Sequence, residues 1–119
     1  MSLILVVDDN AASRRLVCDV LHHRGHELLE AASAGEGLAL LHQCVPDLVL
    51  LDVRIPGGGG ETLLREIRSD TRFISIPVVA VTAQATCGDR ERLFAAGFNS
   101  YVSKPINAWA FGPDVESLI

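Results

Sequence analysis

The amino-acid sequence predicts an α/β fold in which a parallel β-sheet carries helices on both faces. Runs of consecutive aliphatic residues without polar alternation are typical of strands covered on both sides. Segments with the apolar spacing of helices lie between these runs, which implies parallel strands joined by right-handed crossovers. The chain has 119 residues, so we expect one domain over residues 1–119. The clearest strand signals are Leu3–Val7, Leu48–Leu51 and Pro77–Val81.

The predicted elements alternate strand and helix five times along the chain. Gly25 ends the first helix as a C-cap glycine does, and the spacing from Ser33 to Glu36 is that of a capping box at the start of the second. Gly112 and Pro113 lie inside the last helix and should shorten or bend it. The predicted segments, in order, are strand Leu3–Val7, helix Ser13–Arg24, strand His26–Ala31, helix Ser33–His42, a strand within Pro46–Asp52, helix Glu61–Ser69, strand Pro77–Thr82, helix Asp89–Ala96, strand Ser100–Val102 and helix Ile106–Ile119.

Composition and charge exclude several classes of function. The chain has 10 basic and 15 acidic residues, a net charge of −5, which disfavours direct nucleic-acid binding because phosphate backbones are bound by clustered Lys and Arg. The first apolar run is cut short by Asp8 and Asp9, and no run approaches the roughly 18 residues of a membrane span. We therefore expect a cytoplasmic protein that does not bind membranes.

Cysteine and histidine give weaker signals. The three cysteines are an odd number without CxxC spacing, so we expect reduced, mostly buried thiols rather than disulfides or a metal site. The histidine cluster around residues 22–26 could bind a transition metal, but a solvated helix end is the more ordinary interpretation. The residues concerned are Cys18, Cys44 and Cys87, and His22, His23, His26 and His42.

Polar residues with chemical potential follow the predicted strands. Asp8 and Asp9 follow the first strand, Asp52 ends the third, Thr82 ends the fourth and Lys104 follows the fifth. In a parallel sheet these ends lie at one edge, where ligands of open α/β sheets collect. We therefore expect three carboxylates, one hydroxyl and one ammonium group in a single crevice.

Each of these groups has a role in phosphoryl chemistry. Three clustered carboxylates repel one another, and a hard cation such as Mg²⁺, which prefers oxygen ligands and phosphate, relieves the repulsion. A carboxylate at such a site, Asp52, can attack phosphorus as a nucleophile. Lys104 would offset charge on the phosphoryl oxygens, and Thr82 could donate a hydrogen bond to one of them.

With these residues in place, the chain resembles the receiver domain of two-component response regulators. The resemblance spans Leu3 to about Phe111 and implies the flavodoxin-like fold of the chemotaxis regulator, with five parallel strands in the order 2-1-3-4-5. The matching segments are Val6–Asn10, Asp47–Asp52 with Pro56 four residues on, Pro77–Ala83 and Gly97–Pro105.

The resemblance implies a role for each site residue. Asp52 corresponds to the phosphoacceptor, Asp9 and Asp52 to direct Mg²⁺ ligands, and Asp8 to a ligand acting through water. The backbone carbonyl of Arg54 would be a further ligand. The remaining roles implied are a switch pair, Thr82 and Tyr101; a phosphoryl-contacting lysine, Lys104; a cis peptide bond before Pro105; and two residues that tune phosphoryl lifetime, Arg54 and Gln84. From the residues alone, the first interpretation of Tyr101 is that it caps the edge of the sheet, and Arg54 could be a solvated side chain.

The resemblance further implies a signalling module rather than an enzyme. Its phosphoryl donor would be a histidine kinase or a histidine phosphotransfer protein, and its output a downstream protein partner or effector domain. It also admits a homodimer through the face made by the fourth helix, the fifth strand and the last helix. Because Met1 immediately precedes the first strand, we expect the domain to be N-terminal or to stand alone.

Two departures from the family pattern stand out. Four glycines, Gly57–Gly60, replace a larger residue and an Asp-Gly pair, which predicts a mobile loop beside Asp52. Gly112 and Pro113 put the usual output surface in doubt.

Other functions remain open at the level of sequence. The main alternative is a degenerate receiver that binds partners without phosphorylation. A phosphohydrolase with an aspartate nucleophile is less favoured, since Arg54 occupies the position of its second aspartate and the chain is too short for a substrate cap. A nucleotide-binding module is more distant still, because no glycine-rich loop follows the first strand.

Overall fold

Short runs of aliphatic residues form the strands, and amphipathic segments between them form the helices. The computed structural model describes residues 2–53, 59–82, 87–103, 112–113 and 115–118; for residues 59, 87–90 and 103 it describes the backbone alone. Its elements are β1 (Leu3–Val7), α1 (Ala11–His23), β2 (Glu27–Ala31), α2 (Ala34–Gln43), β3 (Leu48–Asp52), α3 (Gly59–Ser69), β4 (Val78–Thr82), α4 (Cys87–Ala96) and β5 (Ser100–Ser103).

The five strands form one parallel sheet in the order β2-β1-β3-β4-β5. The predicted fold class and strand order are thus confirmed. In the register of the sheet Val7 lies opposite Leu51, and Asp52 lies opposite Val81. Because all strands run the same way, the carboxyl ends of β1, β3 and β4 lie at one edge of the sheet.

Hydrophobic residues are buried on both faces of the sheet. On one face, side chains of α2, α3 and α4, such as Leu41, Leu63 and Leu93, pack against the strands. On the other, Val17 and Leu21 of α1 and Val115 near the carboxyl terminus cover the sheet. Every residue of β3 and β4 is buried, which accounts for the unbroken apolar runs in the sequence.

Side-chain caps set the starts of α1 and α2. Asn10 Oδ1 accepts a hydrogen bond from the Ser13 backbone N–H at 3.0 Å, so α1 begins at Ala11 and not, as predicted, at Ser13. Ser33 Oγ accepts from the Glu36 N–H at 3.2 Å. The Glu36 carboxylate accepts from the Ala32 N–H at 2.6 Å, one residue before the usual partner in a capping box. The predicted cap at Ser33 is confirmed.

The glycine run is partly helical, which corrects the prediction of a four-residue mobile loop. Helix α3 begins at Gly59, so Gly59 and Gly60 belong to its first turn, whereas Gly57 and Gly58 lie outside the described residues. Gly60 lies against the end of β3. A Cβ at this position would come within 3.0 Å of the carbonyl oxygens of Asp52 and Val53. Glycine allows this close approach.

One further helix boundary is corrected. Helix α4 begins at Cys87 instead of Asp89. Near the carboxyl terminus, Gly112 and Pro113 are themselves helical, and the Pro113 carbonyl accepts a hydrogen bond from the Ser117 N–H at 3.1 Å. Residues 106–111, 114 and 119 of the predicted last helix lie outside the described residues.

His26 joins the carboxyl-terminal turn to the amino ends of β1 and β2. Its ring is 8% exposed; Nδ1 accepts from the Ser2 N–H at 3.2 Å, and Nε2 lies 2.9 Å from Glu116 Oε1. Arg24 holds the same carboxylate through two hydrogen bonds, at 2.6 and 2.9 Å. A Cβ at Gly112 would overlap the Arg24 side chain. The prediction of a solvated histidine cluster is therefore wrong for His26, although His22 and His23 are exposed.

Arg68, in the last turn of α3, is hydrogen-bonded to the two chain segments that precede β4 and β5. Its guanidinium donates to three backbone carbonyls and to Asn99 Oδ1, which also accepts from the Val78 N–H at 2.8 Å. Burial lowers the pKa of this guanidinium. The acceptors are the carbonyls of Ile74 (3.0 Å), Ile76 (2.9 Å) and Gly97 (2.9 and 3.1 Å) and Asn99 Oδ1 (2.5 Å).

The described cysteines, Cys18 and Cys44, are free thiols that differ in burial. Cys18 is partly buried and Cys44 is exposed, so the expectation of mostly buried thiols is wrong for Cys44. Burial raises the pKa of Cys18 to about 12, which keeps this thiol protonated and unreactive. None of the helices in the described part of the chain is long and apolar enough to cross a bilayer.

Candidate phosphoryl-transfer site

Three aspartates converge at the carboxyl edge of the sheet. Asp8 and Asp9 follow β1, and Asp52 ends the adjacent strand β3. One carboxylate oxygen from each lies within 4.8 Å of the others. Asp8 is 3% exposed and Asp52 is 5% exposed, whereas Asp9 is exposed. The sequence predicted this convergence from the strand ends alone.

The arrangement of burial and charge fits a divalent cation. Two buried carboxylates beside a third repel one another in a medium that screens charge poorly. A cation between them offsets this repulsion, and the exposed Asp9 leaves one side open to solvent. Carboxylate oxygens with room for water are the ligands that Mg²⁺ prefers. The donor set at this edge therefore fits Mg²⁺.

Local hydrogen bonds fix the loop that carries Asp8 and Asp9. The Asp8 N–H donates to the Ala31 carbonyl at 3.0 Å, and Asp8 Oδ1 accepts from the Asn10 N–H at 2.9 Å. Asn10 in turn caps α1 through Ser13. The strand, the acidic pair and the helix are thus joined by consecutive hydrogen bonds.

Thr82 lies at the same edge, on the strand next to Asp52. Because Asp52 pairs with Val81, Thr82 is one residue further along β4. Its side chain is 6% exposed. At the amino end of α3, Gly60 approaches the Asp52 carbonyl. Asp52 is therefore enclosed by the end of β4 and the start of α3.

Tyr101 lies further along the sheet, on β5. Its ring is partly buried against the hydrophobic core. It contacts Phe94 of α4 edge-on, with ring centroids 6.4 Å apart and an angle of 79° between the ring planes. Tyr101 thus links β5 to α4, and Phe94 is 42% exposed at that surface.

Several predicted site residues lie outside the described residues. They belong to residues 54–58, 83–86 and 104–111. Their roles therefore stay predictions: these residues are Arg54, Gln84, Lys104 and Pro105.

Some residues that shape the site were not found from the sequence. Asn10 carries a recognisable signal, since Asn is a favoured N-cap and stands just before a helical stripe. Gly60 carries none, because four consecutive glycines do not reveal which one touches another strand. Arg14, whose guanidinium contacts the Asp8 carbonyl, was likewise not singled out.

Comparison with known proteins identifies the family. The family model of the response regulator receiver domain matches residues 4–111. The chain belongs to this family. As a receiver domain it is a signalling module of two-component systems, not a classical enzyme.

Individual relatives agree with this assignment. The chain is 34% identical to the polar-differentiation response regulator DivK of Brucella ovis over 116 residues, covering 98% of this chain and 94% of that protein. It is also similar to the crystal structure of a putative response regulator from Chloroflexus aurantiacus, at 30% identity and a TM-score of 0.92, covering 98% and 96% of the two chains. The chemotaxis response regulator CheY4 of Vibrio cholerae has the same fold, with a TM-score of 0.93 at 24% identity, covering 100% and 99%.

Proposed function

We propose that this receiver domain accepts a phosphoryl group on Asp52 and thereby changes the surface it offers to a partner. The observation that supports the proposal best is the acidic cluster, in which Asp52 is buried at the strand end beside Asp8 and Asp9. A buried carboxylate that faces two others is costly without a cation. A site that holds a cation and an oxygen nucleophile together suits phosphoryl transfer.

In the proposed reaction, an Asp52 carboxylate oxygen attacks the phosphorus of a phosphohistidine. The new O–P bond forms as the N–P bond breaks, and the imidazole nitrogen of the donor takes the electron pair. Asp9 and Asp52 would hold Mg²⁺ directly, with the Arg54 carbonyl and, through water, Asp8. When bound, Mg²⁺ neutralises charge that develops on the phosphoryl oxygens.

Neighbouring groups would convert phosphorylation into a change of surface. The Thr82 hydroxyl, next to Asp52 in the sheet, can donate a hydrogen bond to a phosphoryl oxygen, and Lys104 would pair with another. If Thr82 moves toward the phosphoryl group, the space it leaves lies toward β5. Tyr101 could then turn inward, which would alter its contact with Phe94. Such coupled positions bias a two-state equilibrium.

The proposed partners follow from this chemistry. The donor is a histidine kinase or a histidine phosphotransfer protein, and the output is a protein partner or effector domain that contacts the α4–β5 surface. The same surface is the candidate for a homodimer. We place the protein in the cytoplasm, where such donors present their phosphohistidines, and assign it no nucleic acid or membrane as a direct ligand.

The test is phosphorylation by a small donor. The protein is incubated with acetyl phosphate and Mg²⁺, and its intact mass is measured. We expect the mass to increase by one phosphoryl group in the wild type and not in Asp52→Asn. Asp19→Asn, which removes an exposed carboxylate from α1, is the matched control and should be phosphorylated normally.

A negative result would have a definite meaning. If neither acetyl phosphate nor a phosphorylated histidine phosphotransfer protein modifies the wild type, the domain acts as a phosphorylation-independent binding module. If Asp52→Asn gains the same mass, the acceptor is another residue.

A further inference from the structure

Arg14, in the first half of α1, contacts the backbone of the acidic pair Asp8 and Asp9. Its Nη1 donates a hydrogen bond to the Asp8 carbonyl oxygen at 2.6 Å, and its Nε donates to Glu30 Oε1 at 3.2 Å. The Arg14 side chain is 19% exposed. The next residue, Arg15, is exposed. Two adjacent arginines thus differ sharply in their surroundings.

The Asp8 carbonyl belongs to the peptide group that joins Asp8 to Asp9. The orientation of this peptide sets the direction in which Asp9 leaves the end of β1. Asp8 is fixed by burial and by its bonds to Ala31 and Asn10. Asp9 is exposed, so its position depends on the backbone that carries it. The hydrogen bond from Arg14 is therefore placed to control Asp9.

Glu30 orients Arg14 from the neighbouring strand. It lies on β2, and its side chain is 54% exposed, so the ion pair itself contributes little to stability. Its geometric effect is larger, because the guanidinium can donate in two fixed directions at once. One direction leads to Glu30 and the other to Asp8. Lysine carries the same charge but lacks this planar fork.

We propose that Arg14 is a positioning residue for the divalent-cation site, acting through the Asp8–Asp9 peptide. The inference rests on the proposed function, since it assigns the cation to the acidic cluster. Residues that orient metal ligands without touching the metal commonly change affinity by about 10–100-fold when they are replaced. Arg14 meets this description through its bond to the backbone between two ligands.

Loss of charge and loss of positioning should change the Mg²⁺ affinity of Arg14→Gln in opposite directions. Arg14→Gln removes a positive charge near a cation site, so electrostatics alone would tighten Mg²⁺ binding. Loss of positioning would weaken it. The direction of the change therefore separates the two effects.

The experiment is a calorimetric titration of the phosphate-free protein with MgCl₂. We expect Arg14→Gln to weaken Mg²⁺ binding by about tenfold, and Arg14→Lys to weaken it by a similar factor although the charge is kept. Glu30→Gln should weaken binding by a smaller factor, because Arg14 keeps its bond to Asp8. Arg15→Gln is the matched control, and its affinity should stay within about twofold of wild type, since it removes the same charge from the next position.

The outcomes separate this inference from the proposed function. Unchanged or tighter Mg²⁺ binding in both Arg14 variants would overturn the inference. If Arg14→Gln does not fold, as judged by circular dichroism, Arg14→Lys decides alone. A wild type that binds Mg²⁺ but accepts no phosphoryl group would overturn the proposed function and leave the role of Arg14 standing. A wild type that is phosphorylated only with Mg²⁺, while both Arg14 variants bind the ion normally, would overturn the inference alone.

Discussion

The ionisation of the Glu116 carboxylate depends on contacts with residues that are distant in the sequence. Its carboxylate receives two hydrogen bonds from Arg24 and lies against His26 Nε2. The Arg24 hydrogen bonds, and then that of His26, lower the pKa of Glu116 from 4.5 to about 2. The native protein therefore keeps this carboxylate ionised at a pH where the unfolded chain has already protonated it.

The contribution of Glu116 to stability should depend on pH. Because its pKa is depressed in the folded state, the contribution is complete above pH 4.5 and is lost as pH falls toward about 2. In urea unfolding, Glu116→Gln should therefore have a lower free energy of unfolding than the wild type near neutral pH. This difference should shrink as the pH falls from 4.5 toward about 2. Glu91→Gln, an exposed position on α4, is the control. A difference that does not vary with pH would contradict the prediction.

Contacts between residues far apart in the sequence, such as those of Glu116, could not be predicted from the sequence. Asp8, Asp9, Asp52 and Thr82 were found because each ends a recognisable strand, and the order of elements determines which ends are neighbours. The partnership of His26 with Glu116 spans 90 positions and has no local signal. Histidine beside other histidines at a helix end favoured solvent exposure, and tertiary contacts placed His26 in the interior instead.

At the scale of elements, the contact between α3 and β3 determines how Asp52 is enclosed. The first turn of α3 includes Gly60, whose backbone lies against the last residues of β3. Helix propensity alone placed the start of this helix at Glu61, because glycine disfavours helices. At Gly60 the close approach to β3 outweighs helix propensity, since the Cβ of any other residue would crowd the backbone of Asp52 and Val53. The five strands and helices α1, α2 and α4 were predicted within a few residues, because their apolar patterns reflect the faces they bury.

Alanine substitution of Gly60 and of Gly35 should separate the effect of close backbone contact from that of helix propensity. Gly60→Ala should destabilise the protein by about 1–3 kcal/mol, because the added Cβ meets backbone that cannot move independently of Asp52. Gly35→Ala, in the first turn of α2, meets nothing closer than Ser33 Oγ at 3.9 Å and should stabilise by about 0.5 kcal/mol. Chemical denaturation measures both. Equal effects of the two substitutions would show that α3 does not need glycine at this contact.

At the scale of the whole molecule, the acidic cluster would connect cation binding to folding. The three carboxylates come from two strands and are brought together by the native sheet. The unfolded chain has no such cluster. A cation that binds there stabilises the native state by mass action.

Magnesium should therefore raise the thermal unfolding temperature of the protein. At a concentration 100 times the dissociation constant the gain in stability is about 2.7 kcal/mol. Asp9→Asn should remove most of this gain and, without metal, should be at least as stable as the wild type because one repulsion is relieved. Sodium chloride at matched ionic strength is the control for screening. An equal shift for wild type and variant would place the ion elsewhere.

Three polar clusters among the described residues lie at opposite ends of the strands. Arg68 with Asn99, and His26 with Glu116, join segments at the amino ends, whereas the aspartates lie at the carboxyl ends. A five-residue strand separates the two edges by about 13 Å, beyond the range at which mutational effects usually couple. Substitutions at the proposed phosphoryl-transfer edge can therefore change function while the other edge preserves the fold. This separation offers a route by which such domains diversify, and a guide for redesigning one without unfolding it.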